Sequence, residues 1–159
     1  MFGPPTCLTT TLKLTPIIAV DVGMGVMKRV EVVAAIVVDS QHRILMAQRA
    51  DWQHQGGKWE FPGGSVEADE SPEEAMIREL KEELGVDSTI NEKLGIWSFT
   101  YPFLHVELHV FLVSTEDSLD SSTLTVHKSM KWVNSEESSK LDWLEADLPI
   151  VQHLQSLGY

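Results

Sequence analysis

Glu79, Glu82 and Glu83 have the residue type and the spacing needed to hold a divalent metal ion. On a helix, residues three and four positions apart share a face, so these carboxylates would converge. Each pair then repels by roughly a few tenths of a kcal/mol, and a bound cation such as Mg²⁺ would remove that repulsion. Glutamate is also a good helix former, and most Glu-rich helix faces are simply solvated. The three glutamates alone leave both interpretations open.

The residues around these glutamates predict the helix that carries them. Ser71 and Glu74 have the spacing of a capping box, and Pro72 occupies the first helical position, where proline is favoured. Gly85 follows Leu84 at a place where a left-handed residue commonly ends a helix. These signals predict a helix from Pro72 to about Leu84.

The segment before this helix ends in a pair of glycines, within the sequence WEFPGG of residues 59–64. Adjacent glycines let the backbone approach a ligand closely and expose carbonyl oxygens to a metal. Residues 64–86 read GSVEADESPEEAMIRELKEELGV, which resembles the Nudix box: Gly, five residues, Glu, seven residues, and Arg-Glu-apolar-any-Glu-Glu-any-Gly-apolar. The positions that match it are Gly64, Glu70, Arg78, Glu79, Leu80, Glu82, Glu83, Gly85 and Val86. The chain is therefore similar to the Nudix hydrolase family over roughly residues 28–157.

The resemblance implies a fold, a metal site and a reaction. The expected fold is an α/β/α sandwich around a mixed sheet, in which helices cover both sheet faces. Glu79, Glu82 and Glu83, together with the Gly63 carbonyl, would hold Mg²⁺ or, as a substitute, Mn²⁺. The implied reaction is attack of water on a phosphorus atom of an X-linked diphosphate, assisted by the bound metal.

Arg78 stands directly before the first of the three box glutamates. By resemblance, it is the family arginine that orients a box carboxylate through a salt bridge, with Glu70 as its expected partner. The alternative is an ordinary ion pair on the helix surface. The catalytic residues that the resemblance implies are Glu79, Arg78 and Glu82.

The general base is less well indicated than the metal ligands. MutT-like members of the family often carry a glutamate outside the box, six residues before the tryptophan that is here Trp132. That position is Val126 in this chain, and His127 stands beside it. The general base is therefore open between Glu79, which is preferred, and His127, which is the fallback.

The stretch from Arg49 to Val86 resembles the MutT-like members in particular and indicates where a nucleotide would bind. The implied substrate-binding residues in this stretch are Arg49, His54, Phe61, Pro62, Gly63 and Gly64. Arg49 would contact the nucleotide, and His54 and Phe61 would border its pocket. Arg49 has the alternative role of capping a strand end, and Phe61 that of an ordinary core residue.

Two residues near the C-terminus are candidates for contacting the base. Asp147 falls where MutT-like proteins place their base-reading residue, which in MutT is Asn. An ionised Asp only accepts hydrogen bonds, so it favours cytosine or adenine, which present an amino group, over 8-oxo-guanine. Trp143 could stack on the base, because an aromatic face suits any nucleobase. The alternatives are a helix cap for Asp147 and a core position for Trp143.

The remaining elements are predicted from residue patterning. Residues 1–26, rich in Thr, Pro and Gly, are predicted to be an N-terminal extension of a Nudix domain that spans residues 27–159. The predicted strands cover residues 29–38, 43–49, 90–100, 105–114 and 130–133. Residues 50–70 are predicted to be a long functional connection. A last helix is predicted over residues 148–157, capped by Asp147 and ended by Gly158.

The composition limits the partners and the compartment. The net charge of −12 makes the chain a poor partner for duplex nucleic acid, but free nucleotides arrive with metal ions that neutralise their phosphates. Cys7 is the only cysteine, so no disulfide forms within the chain, and the cytoplasm is the expected location. The most apolar stretch, residues 8–26, is interrupted by charges and proline and falls short of a membrane span. We expect a free nucleotide as partner, neither nucleic acid nor membrane, and a monomer or homodimer.

The leading prediction of function is a Mg²⁺-dependent nucleoside triphosphate diphosphatase. It would cleave 8-oxo-dGTP or a cytidine-type triphosphate to a monophosphate and pyrophosphate, and so clean or balance the nucleotide pool. A second prediction is a Nudix hydrolase of ADP-ribose, NADH or a dinucleoside polyphosphate, although the extra motifs of those subfamilies are not recognised after the box. A third is a non-catalytic module that senses a nucleotide. Such modules commonly lose box carboxylates, whereas all are present here.

Overall fold

Strands and helices follow one another without strict alternation in the computed structural model, which describes residues 18–21, 26–120 and 124–159. The strands are β1 (Ile18–Asp21), β2 (Val26–Val37), β3 (Ile44–Gln48), β4 (Trp59–Glu60), β5 (Gly63–Ser65), β6 (Thr89–Tyr101), β7 (Leu104–Ser114) and β8 (Ser129–Val133). The helices are α1 (Pro72–Leu84), α2 (Ser135–Ser138) and α3 (Leu148–Ser156), and a 3₁₀ turn covers Glu145–Asp147. None of the helices in this part of the chain is long and apolar enough to cross a membrane.

The larger sheet is mixed, with the strand order β1-β2-β7-β6, and β5 also pairs with β2. Strands β2 and β7 are parallel, from Lys28↔Leu104 to Val37↔Val113, and the other pairs are antiparallel. Parallel strands that are buried on both faces show near-continuous apolar runs, and β2 contains such a run in VVAAIV of residues 32–37. The predicted mixed sheet is therefore confirmed.

A second sheet of three antiparallel strands, in the order β4-β3-β8, brings distant parts of the chain together. Gln48, at the end of β3, pairs with Trp59 of β4 and with Ser129 of β8. Residues that follow β3, lie in β4 or precede β8 therefore meet at one end of this sheet. This end forms part of the candidate site.

Helices cover both faces of the larger sheet. Successive side chains of β2 point to opposite faces, and they join two separate core clusters. The buried apolar residues of α1 that pack on one face are Ala75, Met76, Leu80 and Leu84. Those of α3 in the cluster on the other face are Ile150, Val151 and Leu154. This arrangement is the α/β/α sandwich that the sequence predicts.

Helix α1 begins and ends as predicted. The Ser71 hydroxyl accepts a hydrogen bond from the Glu74 N–H at 3.1 Å, and the Glu74 carboxylate accepts one from the Ser71 N–H at 2.8 Å. Gly85 has a φ of 69°, the left-handed conformation that ends the helix. All the predicted strands also form, with their ends shifted by at most three residues.

The structure corrects the long connection predicted for residues 50–70. This segment contains β4 and β5, which are too short to show an alternating pattern in the sequence. Strand β1 lies within the predicted N-terminal extension and pairs with β2 from Ile18↔Arg29 to Asp21↔Val26. Residues 1–17 and 22–25 of the extension, among them Cys7, lie outside the described residues.

The predicted cap of α3 is wrong. Asp147 makes no capping hydrogen bond, because the 3₁₀ turn leads directly into the helix and gives Asp147 a helical backbone. An N-cap residue needs an extended backbone for its side chain to reach the N–H groups that follow. The Asp147 carboxyl group instead accepts a hydrogen bond from the backbone N–H of Phe61 at 3.1 Å.

Candidate active site

Helix α1 places its three box glutamates in three different environments. Glu83 is buried, and its carboxylate accepts a hydrogen bond from the backbone N–H of Gly63 at 3.2 Å. The side chain of Glu79 is 14% exposed, and that of Glu82 is 57% exposed. The helical spacing therefore brings Glu83 against Gly63 and Glu79 against Gly64 of β5, whereas Glu82 stays more exposed.

Arg78 connects the carboxylates of the box. Its Nε and Nη2 atoms donate to the two oxygens of Glu70 at 2.7 and 3.0 Å. Its Nη1 atom donates to Glu79 at 2.8 Å and to Glu82 at 3.3 Å, and Nη2 also donates to the Ser65 carbonyl at 2.9 Å. Two-point pairs between arginine and carboxylate fix geometry as well as adding energy. The expected pair with Glu70 is present, and Arg78 holds the Glu79 carboxylate in one orientation.

The crowding of carboxylates makes this region unfavourable for negative charge. Burial raises the pKa of Glu83 well above its usual value, and the charges of Glu79 and Glu60 act in the same direction. Burial also raises the pKa of Glu79, although the hydrogen bond from Arg78 opposes that effect. A cation would offset these charges, and oxygen ligands are those that Mg²⁺ and Mn²⁺ prefer. The residues expected to hold such an ion, Gly63, Glu79, Glu82 and Glu83, offer oxygen atoms of this kind.

Gly63 and Gly64 are required by close contacts. A Cβ atom on Gly64 would lie 2.3 Å from the carboxyl carbon of Glu79, and one on Gly63 would lie 1.9 Å from the carbonyl oxygen of Val33. Gly64 thus leaves room for the Glu79 carboxylate, whereas Gly63 lets β5 approach β2. These two contacts explain why adjacent glycines precede the helix.

A cavity of about 800 Å³ joins the box to the expected base pocket. Pockets for small ligands commonly have volumes of about 300–1,000 Å³, so a nucleotide fits this one. The lining includes Glu83 of the box. The expected substrate-binding residues that also line the cavity are Arg49, His54, Phe61, Gly63, Gly64 and Asp147.

Pro62 and Trp143 were also expected at the substrate, but neither lines this cavity. Pro62 is fully buried, and its carbonyl accepts a hydrogen bond from the Ala35 N–H at 2.8 Å. Trp143 is 7% exposed, its Nε1 donates to the Ser138 carbonyl at 2.7 Å, and its ring centroid lies 5.6 Å from that of Phe61. Of the two roles considered for Trp143, stacking on the base or a core position, the structure therefore shows the core position.

Glu60 bridges Arg49 and His127 on the cavity wall. Nη1 of Arg49 donates to Oε2 of Glu60 at 2.9 Å, and Nε2 of His127 lies 3.0 Å from Oε1. Nε of Arg49 donates to the His54 carbonyl at 2.8 Å. Glu60 was not among the residues predicted from the sequence. A charged residue between two aromatic residues, in the segment WEF, is the signal that could have identified it.

Tyr101 is a further cavity residue that was not predicted. It ends β6, and its ring centroid lies 4.7 Å from that of Phe99. Burial raises the pKa of Tyr101, and the charges of Glu145 and Asp147 act in the same direction. The phenol therefore lies near Asp147, in a position that no local pattern in the sequence indicates.

Asp147 is 3% exposed and lies on the cavity wall. Burial raises the pKa of Asp147 to about 8, and the charge of Glu60 adds to this effect, whereas the Phe61 N–H and Arg49 oppose it. Below that pH the carboxyl group is mostly protonated, so it donates as well as accepts hydrogen bonds. This finding corrects the expectation of an ionised Asp147 that only accepts.

A second group of residues whose side chains are of types that can bind a metal lies outside the box, on β2 and β7. Ligand atoms of Glu31, Glu107 and His109 lie within 4.8 Å of one another. Arg29 is paired with Glu107, Lys93 Nζ lies 3.2 Å from Nδ1 of His109, and Nε2 of His109 lies 3.3 Å from Glu31. Because cationic side chains of the chain already pair with this group, it is a charge-compensated network on the sheet.

The protein-family model for the NUDIX domain matches residues 27–154 of this sequence. The chain belongs to the Nudix hydrolase family. Nudix hydrolases generally use divalent metal ions, in agreement with the oxygen donors around Glu83. The resemblance that the box carries is therefore confirmed.

Several relatives resemble this Nudix chain over much of its length. A CTP pyrophosphohydrolase of Escherichia coli K12 is 36% identical over 131 residues, which cover 82% of this chain and 95% of that protein. An 8-oxo-dGTP diphosphatase of Proteus vulgaris is 40% identical over 87 residues, which cover 55% of this chain and 78% of that protein. The solution structure of the E. coli ORF135 protein, at 36% identity, has a TM-score of 0.71 and matches 82% of this chain and 91% of its own. The prediction of the MutT-like branch is thus also confirmed.

Proposed function

We propose that this Nudix chain is a Mg²⁺-dependent diphosphatase that converts a nucleoside triphosphate to its monophosphate and pyrophosphate. The observation that carries the proposal is the cavity whose lining includes both Glu83 and Asp147. A nucleotide with its phosphates at the box and its base at Asp147 would contact both. The name of the E. coli relative, CTP pyrophosphohydrolase, supports the same reaction. The proposed partner is a free nucleotide, and the chain would act as a monomer or homodimer.

The proposed bases are cytosine and 8-oxo-guanine. Protonated Asp147 donates to a carbonyl oxygen and accepts from an amino group or a ring N–H, as an asparagine would. Cytosine presents an amino group beside ring and carbonyl acceptors, and 8-oxo-guanine presents carbonyl oxygens beside N–H groups. Asp147 therefore offers partners to either base. Relatives named for both substrates support this pair of candidates.

The residues of the chain account for binding and orientation in the proposed reaction. Arg49, on the cavity wall, would contact the nucleotide while Glu60 fixes its guanidinium. Arg78 holds the Glu79 carboxylate at 2.8 Å, and Glu83 is held by the Gly63 N–H, so the box carboxylates are oriented before substrate arrives. Mg²⁺, when bound, would neutralise charge on the phosphates and lower the pKa of water in the site.

A panel of substrates tests this proposal. With Mg²⁺ present, the protein should release pyrophosphate from a cytidine-type triphosphate or from 8-oxo-dGTP, and removing the metal with a chelator should abolish release. ADP-ribose, NADH and dinucleoside polyphosphates in the same panel test hydrolysis of other diphosphates. Turnover of those compounds with none of the triphosphates would overturn the proposal, and so would nucleotide binding without any turnover.

A further inference from the structure

Both carboxylate oxygens of Glu60 are engaged. Oε2 accepts from Arg49 at 2.9 Å, and Oε1 lies 3.0 Å from Nε2 of His127. The three side chains come from β4, from the residue after β3 and from just before β8, so the strand pairing of the second sheet brings them together. The side chain of Glu60 is 15% exposed and that of His127 only 3%. The Glu60 carboxylate is therefore fixed in one position on the cavity wall.

His127 serves this arrangement as an anchor. A carboxylate that pairs with an arginine offers only acceptors, so Nε2 of His127 must donate to Glu60. Nδ1 of His127 is buried and has no hydrogen-bond partner among the described residues. The only hydrogen bond found for this ring within that part of the chain goes to Glu60. His127 thus acts on the cavity through Glu60, because Nε2 is bound to Glu60 and Nδ1 is buried.

Glu60 also lies beside the residue that binds Asp147. The Phe61 N–H, which follows Glu60 in the chain, donates to Asp147 at 3.1 Å, and both carboxyl groups line the same cavity. Burial is the largest cause of the raised pKa of Asp147, and the charge of Glu60 is the next. The charged or titratable side chains that line the cavity with Asp147 are Arg49, His54, Glu60, Glu83, Tyr101 and His127.

We propose that Glu60, fixed between Arg49 and His127, is a positioning residue for base selection. The inference rests on the proposed function, because base selection has meaning only for a nucleotide substrate. Glu60 acts in two ways: it holds the guanidinium of Arg49 at the cavity wall, and its charge adds to the burial that keeps Asp147 protonated and able to donate. Without that charge, Asp147 ionises at lower pH and only accepts hydrogen bonds.

Two substitutions separate the charge of Glu60 from its shape. Glu60→Gln keeps the length and removes the charge, whereas Glu60→Asp keeps the charge and shortens the reach to Arg49. The readout is the ratio of kcat/KM for a cytidine-type triphosphate to that for 8-oxo-dGTP, measured from pH 6 to pH 10. In the wild type, the ratio should change with a midpoint near pH 8, the pKa of Asp147. Glu92→Gln, at an exposed position on β6, is the control and should leave the midpoint unchanged.

We expect Glu60→Gln to lower the midpoint by at least about one pH unit, because the charge that opposes ionisation of Asp147 is gone. Glu60→Asp should move the midpoint by less than about half a pH unit, because the charge remains. It should also raise KM several-fold, because the shorter side chain no longer holds the Arg49 guanidinium in place. Combining Glu60→Gln with Asp147→Asn should abolish the pH dependence. An unchanged midpoint in Glu60→Gln, or equal shifts in the two single variants, would overturn the inference.

A second measurement does not depend on turnover. The pKa of Asp147 can be followed by ¹³C NMR of its carboxyl carbon in the metal-free protein, for the wild type and for Glu60→Gln. The pKa should be lower in Glu60→Gln, and equal values would contradict the inference even if no triphosphate is hydrolysed. Absence of triphosphate turnover in the wild type would instead count against the proposed function. If Glu60→Gln does not fold, Glu60→Ala, which also removes the charge, takes its place: a lowered pKa of Asp147 supports the role of charge, and an unchanged pKa overturns it.

Discussion

The carboxyl group of Asp147 accepts a hydrogen bond from the backbone N–H of Phe61, a residue 86 positions earlier in the chain. This contact ties the segment before α3 to the loop that leads into the box. It also buries the carboxyl group, and burial raises the pKa of Asp147 to about 8. Asp147 therefore makes a structural hydrogen bond and also has the protonation state on which the proposed base recognition depends.

Replacing Asp147 with Asn should remove the pH dependence of base preference. Below about pH 8 the wild-type carboxyl group donates and accepts as an amide does, and above it the ionised group only accepts. The ratio of kcat/KM for a cytidine-type triphosphate to that for 8-oxo-dGTP should therefore be similar in both proteins near pH 6.5. Near pH 9.5 it should differ by at least about tenfold, with the wild type favouring cytosine. A wild-type ratio that does not change with pH would place base selection elsewhere.

The stability of the fold should depend on pH through the same residue. The folded-state pKa of Asp147, about 8, lies above the unfolded value of 3.8, so the folded state binds more protons between these values. The stabilisation is complete below the unfolded pKa and is lost as the pH rises through the folded pKa. The Tm of the wild type minus that of Asp147→Asn should therefore fall between about pH 4 and pH 8 and level off above about pH 9. Thermal scans of the metal-free proteins measure this difference. If the Tm of the two proteins changes with pH in the same way, the raised pKa assigned to Asp147 is contradicted.

The two glycines of β5, Gly63 and Gly64, should respond differently to replacement by alanine. In Gly64→Ala the new methyl group meets only the end of the Glu79 side chain, so the carboxylate should move while the fold persists. Turnover should drop by roughly a hundredfold with little change in Tm, because a shift of about 1 Å in a catalytic group has this effect. In Gly63→Ala the methyl group meets the backbone of Val33, so the Tm itself should fall. Equal losses of Tm in the two variants would contradict this reading.

Removing a box carboxylate should impair turnover without unfolding α1. Glu83→Gln keeps the shape of the side chain and an acceptor for the Gly63 N–H, but it removes charge from the proposed metal site. We expect kcat to fall by at least about a hundredfold at saturating Mg²⁺, comparable with the loss of a main electrostatic stabiliser. Glu92→Gln, on the exposed part of β6, is the matched control and should keep wild-type kcat. Wild-type turnover in Glu83→Gln would contradict the metal assignment.

Local signals in the sequence predicted the parts of the site that local structure determines. The capping box of Ser71 and Glu74 and the left-handed Gly85 fixed both ends of α1, and helical spacing then placed the box glutamates. The pair of Arg78 with Glu70 follows from the same short segment. These contacts join residues a few positions apart, so spacing alone describes them.

Contacts between residues far apart in the chain could not be predicted in the same way. The bridge from Glu60 to His127 spans 67 positions and exists only because β4 and β8 both pair with β3. Asp147 was predicted to cap α3, but the 3₁₀ turn before the helix directs its side chain to Phe61 instead. Burial of that carboxyl group, and with it the protonated state, depends on the assembled core and has no local signature.

The products formed from one nucleoside triphosphate test the central claim most directly. Wild-type protein should be incubated with Mg²⁺ and CTP or 8-oxo-dGTP, and the phosphorus-containing products followed by ³¹P NMR. We predict equimolar nucleoside monophosphate and pyrophosphate, with no inorganic phosphate at early times and no reaction once the metal is chelated. Formation of nucleoside diphosphate and inorganic phosphate, or an unchanged spectrum with both substrates, would contradict the proposed function.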